Sequence, residues 1–256
     1  EMAEKGWGLD VVFLDKFEGK DLTDLSKTLY KKGYDLFVAV GPGAARFVWE
    51  DIRSGEPARF YSMVLNPEKV LPALGNAAGI PLNISAGTQI EMIHKGIPSI
   101  KKIGLLYDPE YNHDFFMEAF EKAALMNIRL IPLMVSSRKD ILLVLKDHWK
   151  EMDALWLIPD RTVISESIVH YVIKEALFNN IPVIGFNRFF YESGAALAFI
   201  FDYREVGRQC ATEALRLISG EDVKRTPPVF NVWINERVIK RLGIETRDRY
   251  MPPVDY

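Results

Sequence analysis

The sequence predicts an α/β protein of two doubly wound parallel-sheet lobes facing a common cleft. Three observations predict it. Short apolar runs of strand type alternate from end to end with segments of helical period. Roughly ten strand candidates exceed one small sheet, and the alternation resets near Ser85–Thr88. Five of the runs stop on a polar residue: Phe60–Leu65 on Asn66, Ile103–Tyr107 on Asp108, Ala154–Pro159 on Asp160, Pro182–Phe186 on Asn187, and Ala195–Phe201 on Asp202. In an open parallel sheet, ligands bind outside the carboxyl ends of the strands, where strand order reverses. The pattern predicts capture of a small polar molecule more clearly than catalysis.

The elements follow in order. Val11–Leu14 is an unbroken apolar run and is predicted as a strand. Leu22, Leu25 and Leu29 recur at helical spacing, and that helix stops at Gly33. Tyr34–Val40 is a strand, and Gly41-Pro42-Gly43 turns it into a helix carrying Ala44, Phe47 and Val48. Phe60–Leu65 is the next strand, Asn66-Pro67 opens a turn or helix, and Pro81–Ser85 is a short strand. After the reset, Thr88–Ile97 is a helix with Ile90, Ile93 and Ile97 on one side, and Lys102–Tyr107 a strand. Asp114–Met126 is a helix burying Phe116, Ala119, Phe120 and Ala123. Ile128–Val135 is a strand, and Ser137 with Asp140 resembles a capping box opening a helix with Ile141, Leu142 and Leu145. Ala154–Pro159 is a strand, and Ser165–Asn179 a helix burying Ile168, Val172, Ile173 and Ala176. Pro182–Phe186 and Ala195–Phe201 are strands, and Arg204–Ile218 is a helix stopped by Gly220. Val229–Ile234 is a last strand, Glu236–Leu242 a last helix, and Met251–Tyr256 an extended tail. Strands alternating with helices of this length give parallel sheets covered on both faces.

Composition excludes several classes. The chain has 256 residues, 48% hydrophobic and 26% charged, with 32 basic and 35 acidic residues for a net charge of −3. That balance shows no basic excess arguing for nucleic acid as a partner. No apolar run approaches the roughly 18–20 residues that span a bilayer, and Glu1–Gly8 lacks the pattern of a signal peptide. Cys210 is the one cysteine and sits in an apolar helical stripe, as a small buried hydrophobe does. His94, His113, His148 and His170 are scattered without metal-ligand spacing, so neither metal nor cofactor is expected. There is no Gly-x-Ser-x-Gly elbow and no phosphate-binding Gly-x-x-x-x-Gly-Lys-Ser/Thr loop.

The candidate ligand residues lie at strand ends. Gly41-Pro42-Gly43-Ala44-Ala45 leaves a strand and opens a helix, where free backbone N–H groups suit a carboxylate or phosphate; a plain strand–helix turn is the alternative. In Val64-Leu65-Asn66-Pro67, Asn66 is a ligand contact or a turn cap. Tyr107 is an aromatic wall or a core residue, and Asn112 a ligand contact or a helix cap. Asp160 is suited to a ligand ammonium and Thr162 to a hydrogen bond, while Arg161 offers a fork for a carboxylate. Asn187 precedes Phe189 and Phe190, either of which suits stacking on a ring or core packing. Asp202 is a hinge cap or a ligand acceptor. Asp108 and Asp160 form a carboxylate pair with neither nucleophile nor metal, which falls short of acid–base catalysis.

Several stretches resemble the ABC-transporter substrate-binding proteins of the tryptophan/tyrosine uptake type. They are Lys-Lys-Ile-Gly-Leu-Leu-Tyr-Asp-Pro at 101–109, Ala-Leu-Trp-Leu-Ile-Pro-Asp-Arg-Thr at 154–162, Ile-Pro-Val-Ile-Gly-Phe at 181–186 and Ser-Gly-Ala-Ala-Leu-Ala at 193–198. Asp202-Tyr203-Arg204-Glu205-Val206-Gly207-Arg208-Gln209 is the most specific, and Asn235–Gly243 also fits. The resemblance implies a type I periplasmic-binding-protein fold, hinge closure on a ligand, no enzymatic activity, and an extracytoplasmic location. It implies as partners a small ligand, an amino acid or similar and aromatic in character, and an ABC permease in the membrane, the binding protein itself being a monomer. The lobes would be 1–85 plus 203–227 and 86–202 plus 228–256. Departures fall at the loops: relatives carry a hydroxyl residue near Gly43, Thr-Asp-Pro around Asn66, Pro-Asp-Asn-Thr around Arg161, and a more acidic or hydroxyl-rich loop at Asn187. Glu1–Trp7 resembles the end of a first helix, and the resemblance implies a gene with roughly 40 further residues upstream, a strand–helix unit with a leader. Two rival readings keep the α/β fold. One is a ligand-sensing module of a receptor or regulator, and the other an enzyme acting on a sugar or nucleotide.

Overall fold

The computed structural model describes residues 6–17, 19–52, 57–71 and 77–246. The first five residues and the proline-rich tail, where a helix end and an extended segment are expected, lie outside the described residues. The chain divides into two compact units, Glu1–Ile84 with Asp202–Val229, and Ser85–Phe201 with Phe230–Tyr256. The chain therefore passes from one unit to the other three times, after Ile84, Phe201 and Val229.

The first unit is built on a parallel sheet of order β1-β2-β3, with β1 Leu36–Val40, β2 Ala58–Val64 and β3 Ala78–Pro81. Helix α1 (Lys20–Lys31) precedes β1, α2 (Pro42–Glu50) lies between β1 and β2 in the chain, and the short α3 (Pro67–Val70) between β2 and β3. Leu29, Phe47, Val48, Ile52, Tyr61 and Val64 share one core cluster. Phe60, Ile80, Val206, Cys210 and Ala214 share another, which seats α9 (Tyr203–Ile218). Cys210 is buried with its thiol 2.9 Å from Ser62 Oγ, and burial pushes that thiol up from its ordinary value.

The second unit carries a six-stranded sheet of order β5-β4-β6-β7-β8-β9. Its strands are β4 Lys102–Tyr107, β5 Arg129–Met134, β6 Ala154–Leu157, β7 Val183–Gly185, β8 Leu197–Ile200 and β9 Asn231–Ile234. All neighbours are parallel except β8 and β9. Helices α4 (Ala86–Gly96), α5 (Pro109–Leu125), α6 (Asp140–His148), α7 (Glu166–Phe178), α8 (Arg188–Glu192) and α10 (Glu236–Leu242) complete it. Strand β4 precedes β5 in one direction, and the chain then returns to lay β6 on β4's other side, so order reverses between β4 and β6. This is the switch point at which α/β sheets leave a crevice at their carboxyl ends.

Some expectations are corrected. Val11–Leu14 is no strand: residues 7–13 pair with nothing regular, and Leu14–Lys16 form a single 3₁₀ turn. An apolar run becomes a strand only when a ladder receives it. The strand expected at Pro81–Ser85 lies at Ala78–Pro81, where it pairs with β2, and Ser85 instead caps α4 by accepting from the Thr88 N–H. Phe120 is 47% exposed and Leu142 51% exposed. The buried stripe of α5 is Phe116, Ala119 and Ala123, and Phe120 falls one position off it. Only half of the expected capping box forms: the Asp140 carboxylate accepts from the backbone and hydroxyl of Ser136 and Ser137, with no reciprocal side-chain cap.

Candidate functional site

In the second unit, the carboxyl ends of β4 and β6 are tied by four side chains. Asp108 follows β4 and caps α5, its Oδ1 accepting from the Glu110 N–H at 3.0 Å. Its Oδ2 accepts from Thr162 Oγ1 at 2.6 Å. Asp160 follows β6 by three residues. Its Oδ1 accepts from the backbone N–H groups of Thr162 at 2.9 Å and Val163 at 3.1 Å. Its Oδ2 accepts from the Asp108 N–H at 2.8 Å and from Asn112 Nδ2 at 2.8 Å. Asn112 Nδ2 also reaches the Pro159 carbonyl at 3.3 Å. Asn112 sits at φ −131°, a kink in the first turn of α5 that lets its amide bend back toward β6.

Asp108 and Asp160 are each 4% exposed. A buried carboxylate without a cation is stabilised by converging N–H donors, and Asp160 has four. Both of its oxygens are filled from within the unit. A ligand ammonium at Asp160 would have to displace one of three backbone N–H groups or the Asn112 amide.

The other candidates are placed as follows. Arg161 is exposed, its guanidinium 6.0 Å from the Tyr111 ring centroid. Tyr107 is 2% exposed and stacked on Phe116 at 4.8 Å, and burial pushes its phenol up. Asn187 is half-buried and caps α8, its Oδ1 accepting from the Phe190 N–H at 3.2 Å. Phe190 is fully buried, and Phe189 packs against the same cluster.

In the first unit, Gly41 leaves β1 at φ 88°, a conformation that favours glycine, and its N–H donates to the Ser62 carbonyl at 2.8 Å. Pro42, Gly43 and Ala44 form the first turn of α2, where N–H groups lack intrahelical acceptors. Leu65 is 40% exposed. Asn66 is half-buried at φ 49°, ψ 62°, paired with Asn83. Asp202 is exposed and caps α9, its Oδ1 accepting from the Arg204 and Glu205 N–H groups. The structure thus brings Asn112, Asp160 and Thr162 together with Asp108 in one network, while Asn187 stands apart at α8. Asn83 is a residue the sequence reading missed. It follows an apolar run as the other five do, but the misplaced strand Pro81–Ser85 hid it.

An apolar groove of about 200 Å³ also lies in the first unit, between Trp7–Leu14 and β1. Of the candidate residues only Ala44 borders it. The sequence points to the strand ends rather than to this groove.

Residues 17–252 match the family described as ABC transporter substrate binding protein. The chain belongs to that family. Its members bind substrate without catalysis, and the type I periplasmic-binding-protein fold expected from the resemblance is the fold observed. A tyrosine-binding protein from Clostridioides difficile is 24% identical over 67% of this chain and 51% of its own length, so the match spans about half of that relative. The ligand-free, open structure of CD0873, a substrate-binding protein with adhesive properties from Clostridium difficile, superposes with a TM-score of 0.73. It is 20% identical over 90% of this chain and 81% of that one. The ABC domain in complex with L-Trp from Streptococcus pneumonia gives 0.61 at 19% identity, over 89% and 80%. A LacI family transcriptional regulator from Bifidobacterium animalis gives 0.53 at 16%, over 90% and 87%. No helix among the described residues is long and apolar enough to cross a membrane.

Proposed function

We propose that this chain captures an amino acid or similar small organic molecule, aromatic in character, and delivers it to an ABC permease from the extracytoplasmic side of the membrane. The ligand is held by the loops at the carboxyl ends of the strands, each unit contributing its own, and the three chain crossings serve as the hinge. Asn66, Leu65 and the first turn of α2 at Pro42, Gly43 and Ala44 contribute from the first unit. Arg161, Thr162, Asn112 and Asn187 contribute from the second. Asp160 and Tyr107 support these loops from beneath, and Asp202 holds the second crossing. The observation that carries this reading is the switch point between β4 and β6, where the half-buried Asn112 and Thr162 stand on the buried Asp108 and Asp160 carboxylates. Relatives that bind tyrosine and tryptophan support the aromatic amino acid.

Native mass spectrometry of the purified protein, followed by a thermal-shift screen of the amino acids, tests it. A ligand at about a hundred times its Kd raises the transition by about 5–10 °C for a chain of this size. Chemical turnover of the bound compound, or no stabilisation by any aromatic amino acid, overturns the reading.

A further inference from the structure

Asn66 and Asn83 form a two-point pair. The Asn66 N–H donates to Asn83 Oδ1 at 2.8 Å, and Asn83 Nδ2 donates back to Asn66 Oδ1. The first of these bonds fixes the polarity of the second. A backbone N–H only donates, so the Asn83 atom facing it is oxygen. The other end of the Asn83 amide is then nitrogen, and the Asn66 atom it meets is oxygen. What remains at Asn66 is Nδ2, which has no partner among the described residues. The pair also holds Asn66 in the left-handed region, which asparagine tolerates better than most residues. Met63 at φ 60° marks a break in the β2–β3 register just before it, so this loop leaves its strand by two unusual backbone steps.

We propose that Asn83 is a positioning residue of the ligand site: it orients the Asn66 amide so that its NH₂ is the free end, and the first unit thereby reads a hydrogen-bond acceptor on the ligand, a carboxylate. This rests on the reading that the Leu65–Asn66 loop meets the ligand. The second unit shows the same economy. Asn187 spends its oxygen on the Phe190 N–H and keeps its nitrogen, and Arg161 adds a guanidinium. Asp108 and Asp160 are spent within the unit. Asn112, whose nitrogen is used, and the exposed Asp202 carboxylate are the ends left to meet a ligand donor.

The test compares wild type with Asn83→Asp and Asn83→Ala. Aspartate keeps both contacts but offers two acceptors, so the Asn66 amide turns over and its oxygen becomes the free end. Alanine removes the pair without adding charge. In ligand-free protein labelled with ¹⁵N-asparagine, the Asn66 side-chain NH₂, assigned by its loss in Asn66→Asp, exchanges with solvent freely in wild type and in Asn83→Ala. In Asn83→Asp its exchange slows by about ten-fold, as one new hydrogen bond requires. Titration calorimetry with L-tyrosine and L-tyrosinamide then reads the polarity. Wild type prefers the carboxylate, and the preference falls by about ten-fold in Asn83→Asp and less in Asn83→Ala. A protected Asn66 NH₂ in wild type, or the wild-type preference surviving in both variants, overturns the proposal. Binding of neither probe by wild type, with the exchange pattern as expected, overturns the aromatic amino-acid reading and leaves the orientation of Asn66 established.

Discussion

Replacing Asp160 by asparagine separates a structural carboxylate from a ligand-binding one. The two side chains have the same shape. The carboxylate accepts four N–H donors, three of them backbone groups at the ends of β4 and β6. An asparagine amide turns one oxygen into NH₂, so either the Asp108 N–H and Asn112 Nδ2, or the Thr162 and Val163 N–H groups, then face a donor. Each buried donor left without an acceptor costs about 1–3 kcal/mol. The expected loss is about 3 kcal/mol, a large fraction of the roughly 5–15 kcal/mol that holds a domain folded. Urea unfolding of the ligand-free protein measures it, the midpoint falling by about 1 M or more at ordinary m-values. Hydrogen exchange of peptides covering 105–112 and 156–168 localises it. A ligand-free midpoint unchanged within about 0.3 M, with only binding weakened, would refute the argument and return Asp160 to the ligand.

Arg161→Ala is the converse: the side chain is exposed, its guanidinium 6.0 Å from the Tyr111 ring centroid, so unfolding stays within about 0.5 kcal/mol of wild type, while calorimetry shows affinity for a carboxylate ligand falling about ten-fold or more. Tyr61 is fully buried with its hydroxyl unpartnered among the described residues, and burial pushes it up to about 12 from 10.0. Its neutral form is favoured in the folded chain, so that stability is complete below the unfolded value and is lost as pH rises toward the folded one; Tyr61→Phe flattens this alkaline fall in pH-dependent unfolding and at pH 7 is neutral or stabilising by about 1 kcal/mol. A Cβ at Gly185 would lie 2.3 Å from the Phe190 Cβ, so Gly185→Ala shifts α8 and costs about 3 kcal/mol by urea unfolding.

Much of the fold was legible because burial leaves a periodic trace. Lys102–Tyr107 and Glu236–Leu242 have the bounds their apolar patterns predict, since each is buried by neighbours close in sequence or by a ladder that any apolar run of that length joins. Val11–Leu14 has the same kind of pattern and forms no strand, because pairing depends on a partner that the run itself does not specify. Asn66, Asp108, Asp160 and Asn187 were visible as polar ends of apolar runs, but not what their side chains do. The Asp160 contacts reach 52 residues back to the Asp108 N–H and 48 back to Asn112, and no local pattern encodes them.

The residue type at a strand end carries more than its polarity. Where parallel strands diverge, the first amides past the ladder lose their cross-strand acceptors, and buried ones need replacements. Aspartate supplies two acceptor oxygens and no donor, so when it answers that need on both oxygens, as Asp160 does, nothing of it is left for a ligand. Asparagine in the same role spends its oxygen and keeps its nitrogen. Asn187 does so at the entry to α8, and Asn66, through Asn83, does so after β2. A strand-end asparagine can therefore support its loop and remain a ligand donor, whereas a buried strand-end aspartate must give up one task for the other. We propose on this argument that selectivity in this chain resides in Asn66, Arg161 and Asn187, and that exchanging Asn66 or Asn187 for aspartate alters ligand choice more than exchanging the buried aspartates, whose loss is felt first as unfolding.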